Sequence, residues 1–216
     1  MASQGHKVRV KICGVTQLED AVAAAEAGAD ALGFNFYPKS PRYLSLAKAA
    51  GILKKLPPLV GRVGVFVNPT QAEVERALSS MRLDWLQFSG DEDYDFVSRF
   101  PADMVIKAFR VTAKGDLKAC VPFLGSAAIL LDARSEGAYG GTGKAFPWEI
   151  AKLAKKRFAR PLVLAGGLRP DNVAEAVRMV RPWAVDVASG VESSPGKKDR
   201  EKMRRFIQAA KEAGVA

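Results

Sequence analysis

Short apolar runs recur along the chain at Val8 to Ile12, Ala31 to Phe36, Val60 to Val67, Trp85 to Phe88, Val105 to Phe109, Ala127 to Leu131, Leu162 to Leu164 and Ala184 to Val187. Runs of this length bounded by glycine, proline or polar clusters predict buried strands. Between them, apolar residues spaced for one helical face predict helices at Leu18 to Ala27, Leu46 to Leu56, Gln71 to Met81 and Asn172 to Val180. In the last segment Met203, Phe206, Ile207 and Ala210 fall at helical spacing toward a core, with Arg200, Arg204 and Lys211 toward water. Thr16 and Thr70 read as N-caps, Pro170 as a first-turn proline, and Gly28 and Gly214 as helix stops.

Strand and helix alternate eight times without a linker of low complexity. That predicts an α/β fold with a parallel sheet, and eight βα units are what a single-domain (β/α)8 TIM barrel requires. An open doubly wound sheet is the alternative. The 216 residues are expected to form one barrel domain, with residues 1–6 a disordered extension. In such a barrel, chemistry belongs at the C-terminal ends of the strands. In Val8-Arg9-Val10-Lys11-Ile12-Cys13 the two-residue period turns the valines and isoleucine to the helices, and Arg9, Lys11 and Cys13 to the interior.

Composition narrows the picture. Hydrophobic content of 48% with 26% charged residues is ordinary for a globular chain. No run is long enough to span a bilayer, and Met1 to His6 lacks the apolar segment of a secretory signal. The expectation is a cytoplasmic protein with no membrane partner. Two cysteines far apart, Cys13 and Cys120, argue against a disulfide framework or zinc cluster and leave a reduced thiol for chemistry. Cys120 has apolar neighbours and reads as packing. The net charge of +10 admits nucleic acid, but the basic residues fall on predicted outer faces, including Lys152, Lys155 to Arg157 and the run Lys197 to Lys202. With no nucleic-acid signature, a solvated basic surface that attracts an anionic substrate is the reading carried forward, with no nucleic-acid partner.

Cys13 lies roughly 6.6 Å from Lys11 at ~3.3 Å per strand residue, close enough for an ammonium to favour thiolate. Lys107 is a second expected source of positive field, with Asp186 balancing it. Asp132 ends the sixth apolar run, and a carboxylate there must be paired or functional. Glycines cluster in three consecutive loops, holding Gly141 and Gly143, then Gly166 and Gly167, then Ser189 and Gly190. Such loops let backbone N–H groups approach a phosphate. Arg42, between a proline and Tyr43, suits recognition of a carboxylate with a ring stacked nearby. No dinucleotide fingerprint or metal-ligand cluster is evident, so neither cofactor nor metal is expected.

The segments VKICGVT, GADALGFNFYPKSPRYLS, VGVFVNPT, LLDARSEGAYGGTGKAFPW, LAGGLRPDNV and VDVASGVESSPGKKD resemble the phosphoribosylanthranilate isomerase family, in order from Val10 to about Asp199. The resemblance implies a cofactor-free (β/α)8 barrel that carries phosphoribosylanthranilate through an Amadori rearrangement in tryptophan biosynthesis, as a monomer or homodimer. It further implies Cys13 as general base, Asp132 as general acid, Arg42 facing the anthranilate carboxylate and Asp186 near the sugar hydroxyls. Gly141, Gly143, Gly166, Gly167, Ser189 and Gly190 match its phosphate loops. The family's Gln-Leu-His-Gly at the fourth strand end is Gln87-Phe88-Ser89-Gly90 here, and His6 is the single histidine. Imidazole chemistry is therefore not expected. Two alternatives remain open at this point: a related phosphoribosyl aminoaldose isomerase, and a sugar-phosphate binding barrel that has lost catalysis.

Overall fold

A computed structural model describes residues 7–133 and 148–215. Its eight parallel strands follow one another around a closed barrel. They are β1 (Arg9–Cys13), β2 (Ala31–Asn35), β3 (Gly61–Phe66), β4 (Trp85–Phe88), β5 (Val105–Val111), β6 (Ala128–Ala133), β7 (Leu162–Leu164) and β8 (Ala184–Val187). The seam that closes the sheet pairs β1 with β8, setting Lys11 opposite Asp186 and Ile12 opposite Val187. An open sheet is thereby excluded.

Helices α1 (Leu18–Glu26), α2 (Leu46–Leu53), α3 (Gln71–Ser80), α4 (Tyr94–Val97), α5 (Trp148–Arg157), α6 (Val173–Val180) and α7 (Arg200–Val215) return the chain between strands and end it. The α7 stripe behaves as its spacing predicts: Met203, Phe206, Ile207 and Ala210 are buried, and Arg200 and Arg204 are exposed. Those side chains join Val8, Val10 and Ile12 in the layer between helices and barrel. Inside the barrel a separate cluster, including Val63, Val65, Ile106, Leu130 and Val163, fills the floor under the strand ends. Strand one therefore divides as its alternation requires, with Cys13 on the interior cluster. Among the described residues no helix is long and apolar enough to cross a membrane.

Local signals held unevenly. Thr70 caps α3 in a reciprocal capping box, accepting from the Glu73 N–H at 3.3 Å while Glu73 accepts from the Thr70 N–H at 2.8 Å. Gly28, at φ +93°, follows the end of α1. Thr16 does not cap α1; its hydroxyl instead donates to the Gly196 carbonyl at 2.5 Å, and α1 starts after Gln17 with no side-chain cap. Gly214 lies within α7 rather than stopping it. Pro170 precedes α6 by a turn held by Asn172, whose side chain accepts from the Arg169 N–H at 2.8 Å. After β5 the chain forms a 3-10 segment, Lys114–Phe123, in which Pro122 lacks the N–H an α-helix needs. A short antiparallel pair, β9 (Glu192–Ser194) and β10 (Lys197–Lys198), is inserted after β8. Here the outer-face assignment of Lys198 fails, because the hairpin turns its side chain inward and buries it.

Candidate active site

The strand ends build an open pocket at the C-terminal mouth of the barrel. Cys13, Arg42, Asp132, Gly166, Gly167, Asp186, Ser189 and Gly190 all line it, as do Asn35, Ser89 and Arg110. Gly141 and Gly143 lie outside the described residues.

Cys13 is half-buried at the end of β1. Its register partner on β2 is Gly33, where a Cβ would sit 2.9 Å from the Cys13 sulfur and 3.1 Å from the Lys11 ammonium. A glycine at that position leaves the thiol its space. Lys11 donates to Asp186 at 2.8 Å in a buried ion pair across the β1–β8 seam. Against burial, which lowers it, Asp186 and Cys13 raise the Lys11 pKa, so the ammonium stays charged. The expected depression of the thiol does not follow. Burial pushes Cys13 above the ordinary thiol range; Lys11 and then Lys198 oppose the shift, and Asp186 adds to it. The charge that Lys11 offers the thiol is partly cancelled by its own carboxylate partner.

Lys107 is not a second source of field for Cys13. Its ammonium donates to Glu92 at 2.8 Å and to the Gly90 carbonyl at 2.9 Å. The other Glu92 oxygen accepts from the Asn68 N–H at 2.8 Å and the Gly90 N–H at 3.1 Å, so this buried pair ties the loop after β3 to the strand-four end. Lys107→Met is expected to lower unfolding free energy in urea by ~3–5 kcal/mol, because it strands a buried carboxylate. Adding Glu92→Gln should recover part of that loss, because it removes the stranded charge while an amide oxygen can still accept from the Asn68 and Gly90 N–H groups. Cys120 is buried, and that burial pushes its thiol up to about 12, in keeping with a packing role.

Asp132 shares the interior face of β6 with Leu130 and is the register partner of Arg110 on β5. The Arg110 guanidinium donates to the Ser89 carbonyl at 3.1 Å, and the Ser89 hydroxyl accepts from the Gln87 side chain at 3.0 Å. The serine is thus engaged within its own strand end.

Arg42 reaches the pocket, with two of its N–H groups committed to Glu192: Nε to Oε1 at 2.8 Å and a terminal nitrogen to Oε2 at 2.7 Å. Hydrogen bonding to Glu192 raises the Arg42 pKa above burial's opposing effect. Tyr43 is largely exposed, its backbone pairing with Asn35. Of the three glycine loops, those after β7 and β8 meet at the pocket. Gly166 and Gly167 take φ of +87° and +66°, which glycine alone adopts without strain. A side chain at Gly190 would run into the Leu168 carbonyl oxygen, so the loops after β7 and β8 touch there. Backbone N–H groups in these loops suit an anion.

Sequence reasoning missed Gly33, Arg110, Glu192 and Lys198. The turn Ser194-Pro195-Gly196-Lys197 was a legible hairpin signal for the last two. Gly33 and Arg110 carried none until the strands were in register.

A family model described as N-(5'-phosphoribosyl)anthranilate (PRA) isomerase matches residues 10–209. The chain is 53% identical over 206 residues to the N-(5'-phosphoribosyl)anthranilate isomerase of Trichlorobacter lovleyi, with 95% of this chain and 99% of the relative covered. Its fold is similar to the crystal structure of phosphoribosyl anthranilate isomerase from Thermotoga maritima, at TM-score 0.89 and 45% identity, covering 95% of this chain and 99% of that one. It is also similar to a phosphoribosyl anthranilate isomerase in complex with reduced 1-(o-carboxyphenylamino)-1-deoxyribulose 5-phosphate, at TM-score 0.86 and 44% identity, with coverage of 95% and 99%.

Proposed function

The chain belongs to the N-(5'-phosphoribosyl)anthranilate isomerase family, and on that premise we propose which of its residues carry the reaction. The enzyme is an isomerase of tryptophan biosynthesis that converts phosphoribosylanthranilate to 1-(2-carboxyphenylamino)-1-deoxyribulose 5-phosphate. The observation that supports the assignment best is that Cys13 and Asp132 line one pocket from strands three places apart around the closed sheet.

Asp132, as the general acid, gives a proton to the furanose ring oxygen. The C1–O bond breaks as the anilino nitrogen lone pair forms a protonated imine. Cys13, as thiolate, removes the C2 proton, and the C2–H electron pair moves toward C1 while the C1=N pair returns to nitrogen. The resulting enolamine becomes the C2 ketone by losing its hydroxyl proton and gaining one at C1. The Gly166–Gly167 and Ser189–Gly190 loops hold the phosphate. Arg42, oriented by Glu192, faces the anthranilate carboxylate with its remaining N–H groups, and Asp186 stands beside the sugar hydroxyls.

A monomer or homodimer is the proposed assembly, and the cytoplasm the proposed compartment. Disappearance of phosphoribosylanthranilate fluorescence on adding purified protein tests the activity; an inert, folded sample would overturn it. The pH profile tests the base. Because the thiol must be ionised to act and burial holds its pKa high, kcat/KM is expected to climb with pH and to level only above the ordinary thiol range, ~8.5. A flat profile between pH 6 and pH 9 would remove Cys13 from the role.

A further inference from the structure

The β9–β10 hairpin delivers a lysine to the back of the strand that carries the thiol. The Lys198 ammonium has three N–H groups and three acceptors: the Cys13 carbonyl at 2.6 Å, Glu192 at 2.8 Å and the Ala188 carbonyl at 3.2 Å. Its side chain has no exposure to solvent, and that of Glu192 has 5%. Ala188 immediately precedes the Ser189–Gly190 loop, and Glu192 is the carboxylate that forks onto Arg42. One ammonium therefore touches the strand end of the thiol, the loop before the phosphate glycines and the partner of the arginine. The hairpin is fastened in turn: Asp20 accepts from the Lys198 N–H at 2.9 Å, and Lys202 donates to the Glu192 carbonyl at 2.9 Å.

We infer that Lys198 is a positioning residue for the isomerisation: it seats the Cys13 thiolate and holds the loop after β8 and, through Glu192, Arg42 in one fixed arrangement around the substrate. This rests on the assignment of Cys13 made above. A buried ion pair is a weak source of stability, since apolar side chains of similar volume serve as well or better, so stability alone does not account for it. The charges acting on the thiol are Lys11 on its own strand, Asp186 on β8, Lys198 on β10 and Arg42 in the loop after β2. Three cations thus face two carboxylates: Glu192, which Arg42 and Lys198 share, and Asp186. Lys11 is already paired with Asp186, which leaves Lys198 and Arg42, bridged by Glu192, as the further positive charge.

The full-length chain and its Cys13→Ala, Lys198→Met, Lys198→Arg and Glu192→Gln variants test this with two readouts. One is kcat and KM for phosphoribosylanthranilate across pH. The other is the pH profile of iodoacetamide alkylation at Cys13, followed on its peptide by mass spectrometry. In Lys198→Met the alkylation midpoint should move up by about one pH unit, kcat/KM should fall about a hundredfold and KM should rise about tenfold. Lys198→Arg should bring the midpoint back toward wild type while KM stays raised, because a planar fork cannot serve three acceptors arranged around a compact ammonium. A folded Lys198→Met protein whose alkylation profile overlays the wild type overturns the inference. Should Lys198→Met not fold, Glu192→Gln decides: it leaves the lysine's charge less neutralised, so the midpoint should fall, and an unmoved midpoint overturns it instead. Full activity in Cys13→Ala would remove the assignment of the base, a failure visible without reference to Lys198.

Discussion

Cys13→Ala should lose about a thousandfold in kcat with little change in affinity for a product analogue. A positioned general base contributes ~10²–10⁴, and among the described residues no second thiol lines the pocket. Asp186, the carboxylate whose charge acts on the thiol, is held by Lys11 at 2.8 Å, and taking a proton would cost it that buried ion pair. Cys13→Ser should do no better, because a hydroxyl is a far weaker acid than a thiol and is almost never ionised at these pH values. Neither change should disturb the fold. The sulfur fills the place a Cβ of Gly33 would take, so losing it leaves only a small gap at the pocket, and the strand is anchored by Val10 and Ile12 on its other face. Steady-state fluorescence on the purified variants measures the loss, and an analogue-binding titration separates it from binding. A kcat within tenfold of wild type would show that the proton leaves by another route.

Why so much of this site is visible in the sequence, and where visibility stops, follows from the range of the forces involved. Alternation along five residues of β1 puts Lys11 and Cys13 inside because the pleat is a local property. Asp132 stands out for the same reason, a carboxylate closing an apolar run. The glycine loops announce themselves through backbone geometry that other residues do not share. Local capping signals failed at Gly214 and Pro170, but the expectations that failed at the site turn mostly on partners brought in by the fold. Lys198 sits in a run, Lys197 to Lys202, whose local character is that of a solvated helix face. Its acceptor on Cys13 is 185 positions away, and only the closed barrel brings the two together. Lys107 shares the outward face of β5 with Val105 and Phe109, opposite Ile106 and Ala108 of the interior, and Glu92 in the preceding loop claims its ammonium. The sign of the thiol shift was lost the same way. Distance to Lys11 is readable from strand spacing; the burial and the Asp186 pair that outweigh it belong to the assembled β1–β8 seam.

Asp132→Asn should cost about as much as the thiol substitution, but at a different step. Asparagine keeps the size of the side chain and its ability to accept a hydrogen bond, so the β6 end and its register with Arg110 should survive. What it lacks is an ionisable proton for the ring oxygen, and expelling an alkoxide from C1 without one is slow at neutral pH. A loss of ~10²–10⁴ in kcat is expected, in the range of a missing general acid. The step affected can be identified with substrate deuterated at C2. Where removal of the C2 proton limits the wild type, deuteration slows it; in Asp132→Asn, ring opening comes first and becomes limiting, so the isotope effect should shrink toward unity. In Lys198→Met, where the base itself is displaced, the effect should persist or grow. An undiminished C2 isotope effect in Asp132→Asn would mean that the carboxyl group does not serve ring opening, and its place facing the pocket from β6 would then need another explanation.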